Sequence, residues 1–363
     1  MSNILLFIMA CFAVLGAIDR IIGNRMGLGN RFEEGISTMG PLALSMLGII
    51  CLTPLLADLL RPVIVPVFRL SGADPAMFAG AILACDMGAA PLAMELADDF
   101  QIGLFSGILC GSMLGVTIVF TIPAAMGILQ EADLPFLAKG VLAGIVTIPL
   151  GLFAGGIVAG MELFEVLRNM IPILLFAGMI ALGLWKAENV MIKGFVIFGK
   201  MIIALINIGL AAGIFEAITG IALIPGLAPI EDGIKTVGAI AIVLAGTFPL
   251  VTVLQKLLRK PLLYFGRLLG INEIAVAGLV ASLANSIATF TLVKDMDDKG
   301  KAVNIAFAVS AAFVFGDHLA FAAGFAPEII PALIVSKLVG GISAVAVALW
   351  MIRKKPVRTF EKT

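Results

Sequence analysis

The stretch AVNIAFAVSAAFVFGDHLAFAAG, residues Ala302–Gly324, decides the class of fold that this chain adopts. It is long and apolar enough to cross a lipid bilayer, which takes roughly 20 helical residues. Two-thirds of the way along it stand Asp317 and His318, and His318 is the only histidine in the sequence. An ionisable side chain at membrane depth costs at least about 2.5–3.5 kcal/mol to insert. The pair therefore indicates either a polar contact between two helices or a site on a transport pathway.

The composition predicts an all-α, polytopic membrane protein. Hydrophobic residues make up 61% and charged residues 13% of the 363 residues, against roughly 45–50% and 25% in soluble domains. In hydrocarbon every backbone amide must be paired within its own helix, and continuous apolar runs allow this. Basic and acidic residues balance at 24 each, so the charge gives no indication of nucleic-acid binding. Four cysteines inside apolar runs and one histidine predict neither a metal site nor a cofactor.

The apolar runs predict about ten to twelve transmembrane helices. Pro62 and Pro66 are expected to break the chain after the second span, in an interfacial turn or a short re-entrant segment. The predicted spans are Ile4–Ile22, Ile36–Leu56, Met77–Leu96, Ile102–Leu129, Phe136–Ala159, Leu163–Trp185, Met191–Phe215, Ile234–Leu254, Glu273–Val293, Ala302–Gly324 and Pro327–Ile352.

An internal repeat divides the chain. Laid without gaps on Asp232–Gly278, the segment Glu34–Gly80 gives 16 identities in 47 positions, among them Arg61 with Arg259. We therefore predict a single transmembrane transporter domain with two structurally related halves and broken helices near the midplane. Whether the halves are parallel or inverted is left open, as is the membrane orientation. The predicted parts of the domain, 1–363, are a leading helix and loop (1–30), a first half (31–230), a second half (231–352) and a basic tail (353–363).

Two acidic positions are candidate cation sites. Asp86 falls near the bilayer midplane within its predicted span, and Gly88 and Pro91 are expected to loosen the helix beside it. Glu34 lies at the mouth of a span. A carboxylate there attracts cations or simply stabilises the start of a helix.

The corresponding stretch of the second half, LVASLANSIATFT, carries polar residues instead of an acid. Ser282, Asn285, Ser286 and Thr289 are spaced i, i+3, i+4, i+7 and would share one face of a helix. They either bind a solute or form hydrogen bonds between helices, a common role for such residues in membranes.

Motifs along the chain resemble the EutH family, the ethanolamine permeases of bacterial ethanolamine utilisation. Because they run in order from the first loop to near the C-terminus, the resemblance covers almost the whole chain. The chain departs from the family in shorter central and C-terminal loops, and in Ala320, where the family pattern has glycine. The motifs are FEEG (Phe32–Gly35), MFAG with LACDMG (Met77–Gly88), TIVFTIP (Thr117–Pro123), GVLAGIVTIP (Gly140–Pro149), NMIP (Asn169–Pro172), LIPGL (Leu223–Leu227), LVASLAN (Leu279–Asn285) and AFAVSAAFVFGDHLAFAA (Ala306–Ala323).

The resemblance implies a multi-pass protein of the bacterial inner membrane that takes up ethanolamine. The lipid bilayer is then its surroundings, and association into homo-oligomers is left open. Ethanolamine is mostly an ammonium ion at neutral pH, so its site needs a carboxylate and partners for the hydroxyl group. We expect Asp86 to pair with the ammonium group. The remaining candidates for substrate binding are Asn285, Ser286, Asp317, His318 and Glu34.

Two other functions compete with this interpretation. A cation-coupled symporter of another small organic solute would use Asp317 and His318 to relay a proton. An intramembrane enzyme is disfavoured, because the sequence has no nucleophile-elbow serine and no His-Glu-x-x-His motif. The coupling ion is left open.

Overall fold

The computed structural model describes the backbone of residues 2–354, and the side chains in that range except those at positions 2, 3, 255, 258–260, 262, 263, 265, 267 and 354. Within 2–354 the chain is built from helices and contains no β-strand, so the predicted all-α class is confirmed. A continuous helical segment with a π-helical centre joins α6 to α7. The helices are α1 (Ser2–Ile21), α2 (Leu28–Ser37), α3 (Met39–Leu70), α4 (Met77–Ile82), α5 (Ala89–Leu96), α6 (Phe100–Leu104), α7 (Ile122–Ile128), α8 (Leu134–Val158), α9 (Leu163–Thr219), α10 (Ile230–Leu269), α11 (Glu273–Ser282), α12 (Ser286–Leu292), α13 (Asp298–Ala311), α14 (Asp317–Phe325) and α15 (Ile330–Lys354).

Seven helical segments of the described chain are long and apolar enough to span a membrane. The longest, α9, leaves helical geometry at Ala187 (φ −141°, ψ 48°). Its large apolar side chains are exposed, including 74% of Phe164 and 62% of Met179, as expected of a surface that faces lipid. The count of ten to twelve crossings stays a prediction, since the broken helices are too short to meet this length criterion.

The stretch Ala302–Gly324 is not one helix, so its prediction as a single span was wrong. α13 ends before the stretch is crossed, and Phe313 then takes a positive φ of 63°. The Phe313 N–H donates to the Ser282 carbonyl at 3.0 Å, and the Phe315 N–H donates to the Leu283 carbonyl at 2.9 Å. These acceptors lie at the break between α11 and α12. Each break thus satisfies backbone groups of the other, as burial in a membrane requires.

The predicted polar face from Ser282 to Thr289 is also wrong, because the helix stops and restarts within it. Asn285 is extended (φ −157°, ψ 129°) and caps α12, its Oδ1 accepting from the Ile287 N–H at 2.8 Å. Asparagine competes for backbone hydrogen bonds in this way and so favours helix starts over helix interiors.

Asp86 lies in a second kind of break, between α4 and α5. Leu83 is extended, a short 3₁₀ turn carries Asp86, and Gly88 takes a left-handed φ of 104°. The expected loosening is therefore a complete interruption of the helix. Pro62 and Pro66, by contrast, do not break α3, which continues through both to Leu70 and corrects that prediction.

The α4–α5 break and the α11–α12 break are each contacted closely by a glycine of another segment. A Cβ atom on Gly115 would lie 1.8 Å from the Leu83 carbonyl oxygen, and one on Gly316 would lie 2.1 Å from the Ala284 carbonyl oxygen. Because glycine has no Cβ atom, only glycine lets a neighbouring segment come this close to the backbone at a break.

A second pair of contacts is similar: its two donors correspond in the predicted repeat, and its two acceptors are one residue out of register. The Ser106 hydroxyl donates to the Ala76 carbonyl at 2.5 Å, and Asn304 donates through Nδ2 to the Ala275 carbonyl at 2.9 Å. These contacts support the two-half organisation, which stays a prediction. The proposed equivalence of Arg61 with Arg259 involves a side chain outside the described residues.

The matched helices run in opposite directions. Gln101, at the start of α6, donates to the carbonyl of Ala159 at the end of α8 (3.4 Å). Lys301, at the start of α13, pairs with Asp133 just before α8 begins (2.6 Å). α6 and α13 therefore start at opposite ends of α8. An inverted repeat would have this geometry, and the two-half organisation stays a prediction.

Candidate functional site

Two cavities lie beside the breaks. The Asp86 cavity, of about 100 Å³, is lined by Asp86, Asp232, Thr236, Phe321 and Phe325, among others. The Asp317 cavity, of about 430 Å³, is lined by Arg31, Glu34, Phe248, Thr252, Asn285 and Asp317, among others. The smaller cavity is well below the roughly 300–1,000 Å³ of pockets for drug-sized ligands, so it fits only a small solute.

The cavities lie at different levels of the molecule. Both use α10 as a wall, and Thr236 in one is separated from Phe248 in the other by about 18 Å of helix. The α14 helix, whose first residue faces the Asp317 cavity, lies between them. Its Gly324 approaches Ile240 so closely that an added Cβ would lie 2.9 Å from Cγ1. This close contact packs α14 against α10 at a residue between the levels of the two cavities.

Each cavity is lined by the acidic residue of an exposed ion pair. Glu34 on α2 is held by Arg31 at 2.5 Å, and Asp232 on α10 is held by Lys235 at 3.3 Å. Glu34 and Asp232 are opposite each other in the repeat. One acidic residue at each cavity therefore belongs to a pair of aligned positions of the predicted repeat.

A buried polar cluster lies where the α4–α5 break meets α14. Single ligand-type atoms of Cys85, Asp86 and His318 all lie within 4.8 Å of one another. Lys337 of α15 completes the cluster, because its Nζ is 3.2 Å from Nδ1 of His318 and donates to the Ser112 carbonyl at 2.6 Å. Both Lys337 and His318 are about 1% exposed.

These atoms do not make a convincing metal site. Cys85, Asp86 and His318 offer the atom types that transition metals prefer, but the Lys337 amine already places a cationic group beside the imidazole. A bound metal ion would have to displace or deprotonate that amine. We assign no metal or cofactor to the cluster.

The structure brings the predicted residues together in two groups. Glu34, Asn285 and Asp317 line the Asp317 cavity, whereas Asp86 and His318 meet in the buried cluster. The Asn285 side chain is occupied in capping α12. Ser286 is fully buried, and its hydroxyl oxygen has no hydrogen-bond partner.

Lys337 was not predicted from the sequence. It lies seven residues after the start of α15, or about 10 Å along the helix. This position predicts a lysine whose amine reaches the membrane surface. The signal that could have identified it is its position about one turn before Gly340 and Gly341, which indicate the face of α15 on which α13 packs closely.

Comparisons with known proteins give the family. The model of the family described as "Ethanolamine utilisation protein, EutH" matches residues 1–351. The chain belongs to the EutH family. It is 55% identical to the "Probable ethanolamine permease EutH" of Listeria monocytogenes over 96% of this chain and 94% of the relative.

Two further relatives match over nearly the whole chain. The chain is 45% identical to the "Probable ethanolamine permease EutH" of Salmonella typhimurium, over 97% of this chain and 96% of that protein. It is 48% identical to the "Uncharacterized protein YxeR" of Bacillus subtilis, over 96% of this chain and 95% of that protein. No solved structure matches the chain. The resemblance found in the sequence motifs is confirmed.

Proposed function

We propose that this protein is a permease that carries ethanolamine, as its ammonium ion, across the bacterial inner membrane. The main observation behind the proposal is that two acid-lined cavities lie on either side of α14, in a chain of the EutH family. Relatives covering nearly the same length are named probable ethanolamine permeases.

Asp86 is the proposed partner of the ammonium group. Its carboxylate stands at a break in the membrane-embedded chain, in a cavity of about 100 Å³ that suits a small amino alcohol. Phe321 and Phe325 line the same cavity with stacked rings, 5.3 Å between centroids. Aromatic faces attract cations, so these rings add to the attraction of the carboxylate.

The Asp317 cavity is the proposed second binding site for the substrate on the transport pathway. Asp317 and Glu34 supply carboxylates, and the Thr252 hydroxyl lines the same space. For transport, the contact between α14 and α10 at Gly324 would have to separate so that the solute can pass. The cavity from which the solute came would then close to the solvent. Inverted repeats favour such exchange, because the two halves can swap conformations around a fixed site.

The cation-coupled symporter of another small organic solute remains the alternative, since carboxylate-lined cavities would accept other small cations. An enzyme is not favoured, because the relatives are named permeases and the chain is a bundle of apolar helices. Association into homo-oligomers stays a prediction.

Labelled ethanolamine uptake into liposomes containing the purified protein tests the proposal. We expect saturable uptake of chemically unchanged ethanolamine, far above that of protein-free liposomes. Competition by excess of other small amines distinguishes the alternative solute. Altered product inside the vesicles would indicate an enzyme, and uptake equal to that of empty liposomes would contradict a permease.

A further inference from the structure

Lys337 is the charged group that the proposed function leaves unexplained. Its side chain is about 1% exposed in the middle of the helical bundle. It donates to the Ser112 carbonyl at 2.6 Å and lies 3.2 Å from Nδ1 of His318. A buried ammonium group is costly unless an anion compensates for it, so its position in the interior needs a partner.

Asp86 is the carboxylate that can serve as this partner. The Lys337 amine contacts His318, which with Asp86 belongs to the cluster whose atoms lie within 4.8 Å. Cys85 is the remaining member of the same cluster. The other ionisable groups on helices packed against α15 are Cys110 before α7, Lys139 on α8, Asp298, Lys299 and Lys301 on the first turn of α13, Asp317 on α14, and Glu328 before α15.

A substrate ammonium at Asp86 would change this balance. With the substrate bound, one carboxylate would face two cations in a largely buried cluster, and their repulsion would be screened only weakly. Losing the proton of Lys337 removes that repulsion. The cluster then holds one carboxylate and one cation both with and without substrate.

We propose that Lys337 binds the proton that this permease exchanges for ethanolammonium. As the substrate binds, an N–H bond of Lys337 Nζ breaks and its proton passes to Nδ1 of His318. The imidazole releases a proton from its other nitrogen to water, which leaves Lys337 as a neutral amine. In the return of the empty carrier, Lys337 takes up a proton from the opposite side and again neutralises Asp86.

One consequence is that transport carries no net charge. Each cycle moves one ethanolammonium ion in one direction and one proton in the other, so the result equals the movement of neutral ethanolamine. Uptake should then respond to a pH gradient and not to membrane voltage. This inference rests on the proposed function, since it requires ethanolamine to bind at Asp86.

Proton release on binding is the measurement that tests the exchange. Calorimetric titration of the purified protein with ethanolamine, in buffers of different ionisation enthalpy, counts the protons released. We expect about one proton per ethanolamine, and an affinity that rises by up to about tenfold per pH unit. Lys337→Met should still bind ethanolamine, with no proton release and no pH dependence.

A matched control is Lys299→Met, because Lys299 also donates to a backbone carbonyl, that of Leu269, but lines neither cavity. It should release protons as the parent does. Binding by the parent without proton release, or unchanged release in Lys337→Met, would overturn the exchange and leave the permease intact. No binding by the parent would instead reject the proposed function.

If Lys337→Met does not fold, flux through the parent protein answers the question. Vesicles that contain the protein and have an acidic interior should accumulate ethanolamine faster than protein-free liposomes, which report the leak of the neutral amine, and an imposed potential at equal pH should have no effect. Accumulation driven by the potential alone would overturn the exchange.

Discussion

Replacing Asp86 by asparagine tests the proposed substrate contact. The change keeps the volume of the side chain and removes its charge, in a cavity of about 100 Å³ beside a buried cluster. Truncating one partner of a desolvated charge pair costs about 2–5 kcal/mol. The affinity for ethanolamine should therefore fall by about 30-fold or more. Calorimetry on purified protein at fixed pH measures this, and thermal melting shows whether the variant is folded.

Glu33→Gln is the matched control. Glu33 pairs with Arg20 at 3.2 Å, but its side chain is 54% exposed and it lines neither cavity. Exposed pairs contribute about 0–1 kcal/mol, so the affinity should change by less than about fivefold. A folded Asp86→Asn variant with the affinity of the parent would refute the reasoning, and Asp317 would become the next candidate.

Three further predictions concern stability and are measured by unfolding the purified protein in detergent. Asp133→Asn should cost about 3–5 kcal/mol, because it leaves Lys301, 14% exposed and 2.6 Å away, without its counter-charge; a loss below 1 kcal/mol would show that the pair is solvated. Gly316→Ala should cost about 1–3 kcal/mol, since its Cβ would lie 2.1 Å from a carbonyl oxygen; an unchanged melting temperature would mean that the break adjusts freely. Burial raises the pKa of the Asp74 carboxyl above its ordinary value of 3.8, so the folded state holds its proton more tightly than the unfolded state. Stability from this group is present below pH 3.8 and is lost as the pH rises through the higher folded value, and Asp74→Asn should remove that slope.

The sequence predicts the class of the fold and most of the acidic site. Apolar runs require membrane helices, and charge inside them is costly enough to single out Asp86, Asp317 and His318. The breaks were predicted only in part. Gly88 signals one of them, whereas the break after α13 depends on backbone hydrogen bonds from Phe313 and Phe315 to a distant part of the chain.

Contacts distant in sequence account for what the sequence could not predict. In the sequence Lys337 is indistinguishable from an ordinary lysine near a helix start. Its contacts with Ser112 and His318 appear only in the folded structure. Helical spacing also placed Asn285 on a polar face, whereas its cap interaction with Ile287 begins a new helix. Local patterns thus identify which residues are unusual, but tertiary packing decides which of them meet.

Counterflow in liposomes is the most direct test of the central claim, that this protein carries ethanolamine through a site containing Asp86. Vesicles loaded with unlabelled ethanolamine and diluted into a trace of labelled ethanolamine should accumulate the label transiently, which only a carrier can cause. Asp86→Asn vesicles should lose most of this overshoot, and Glu33→Gln vesicles should keep it. Absence of an overshoot with the folded parent protein would contradict the account.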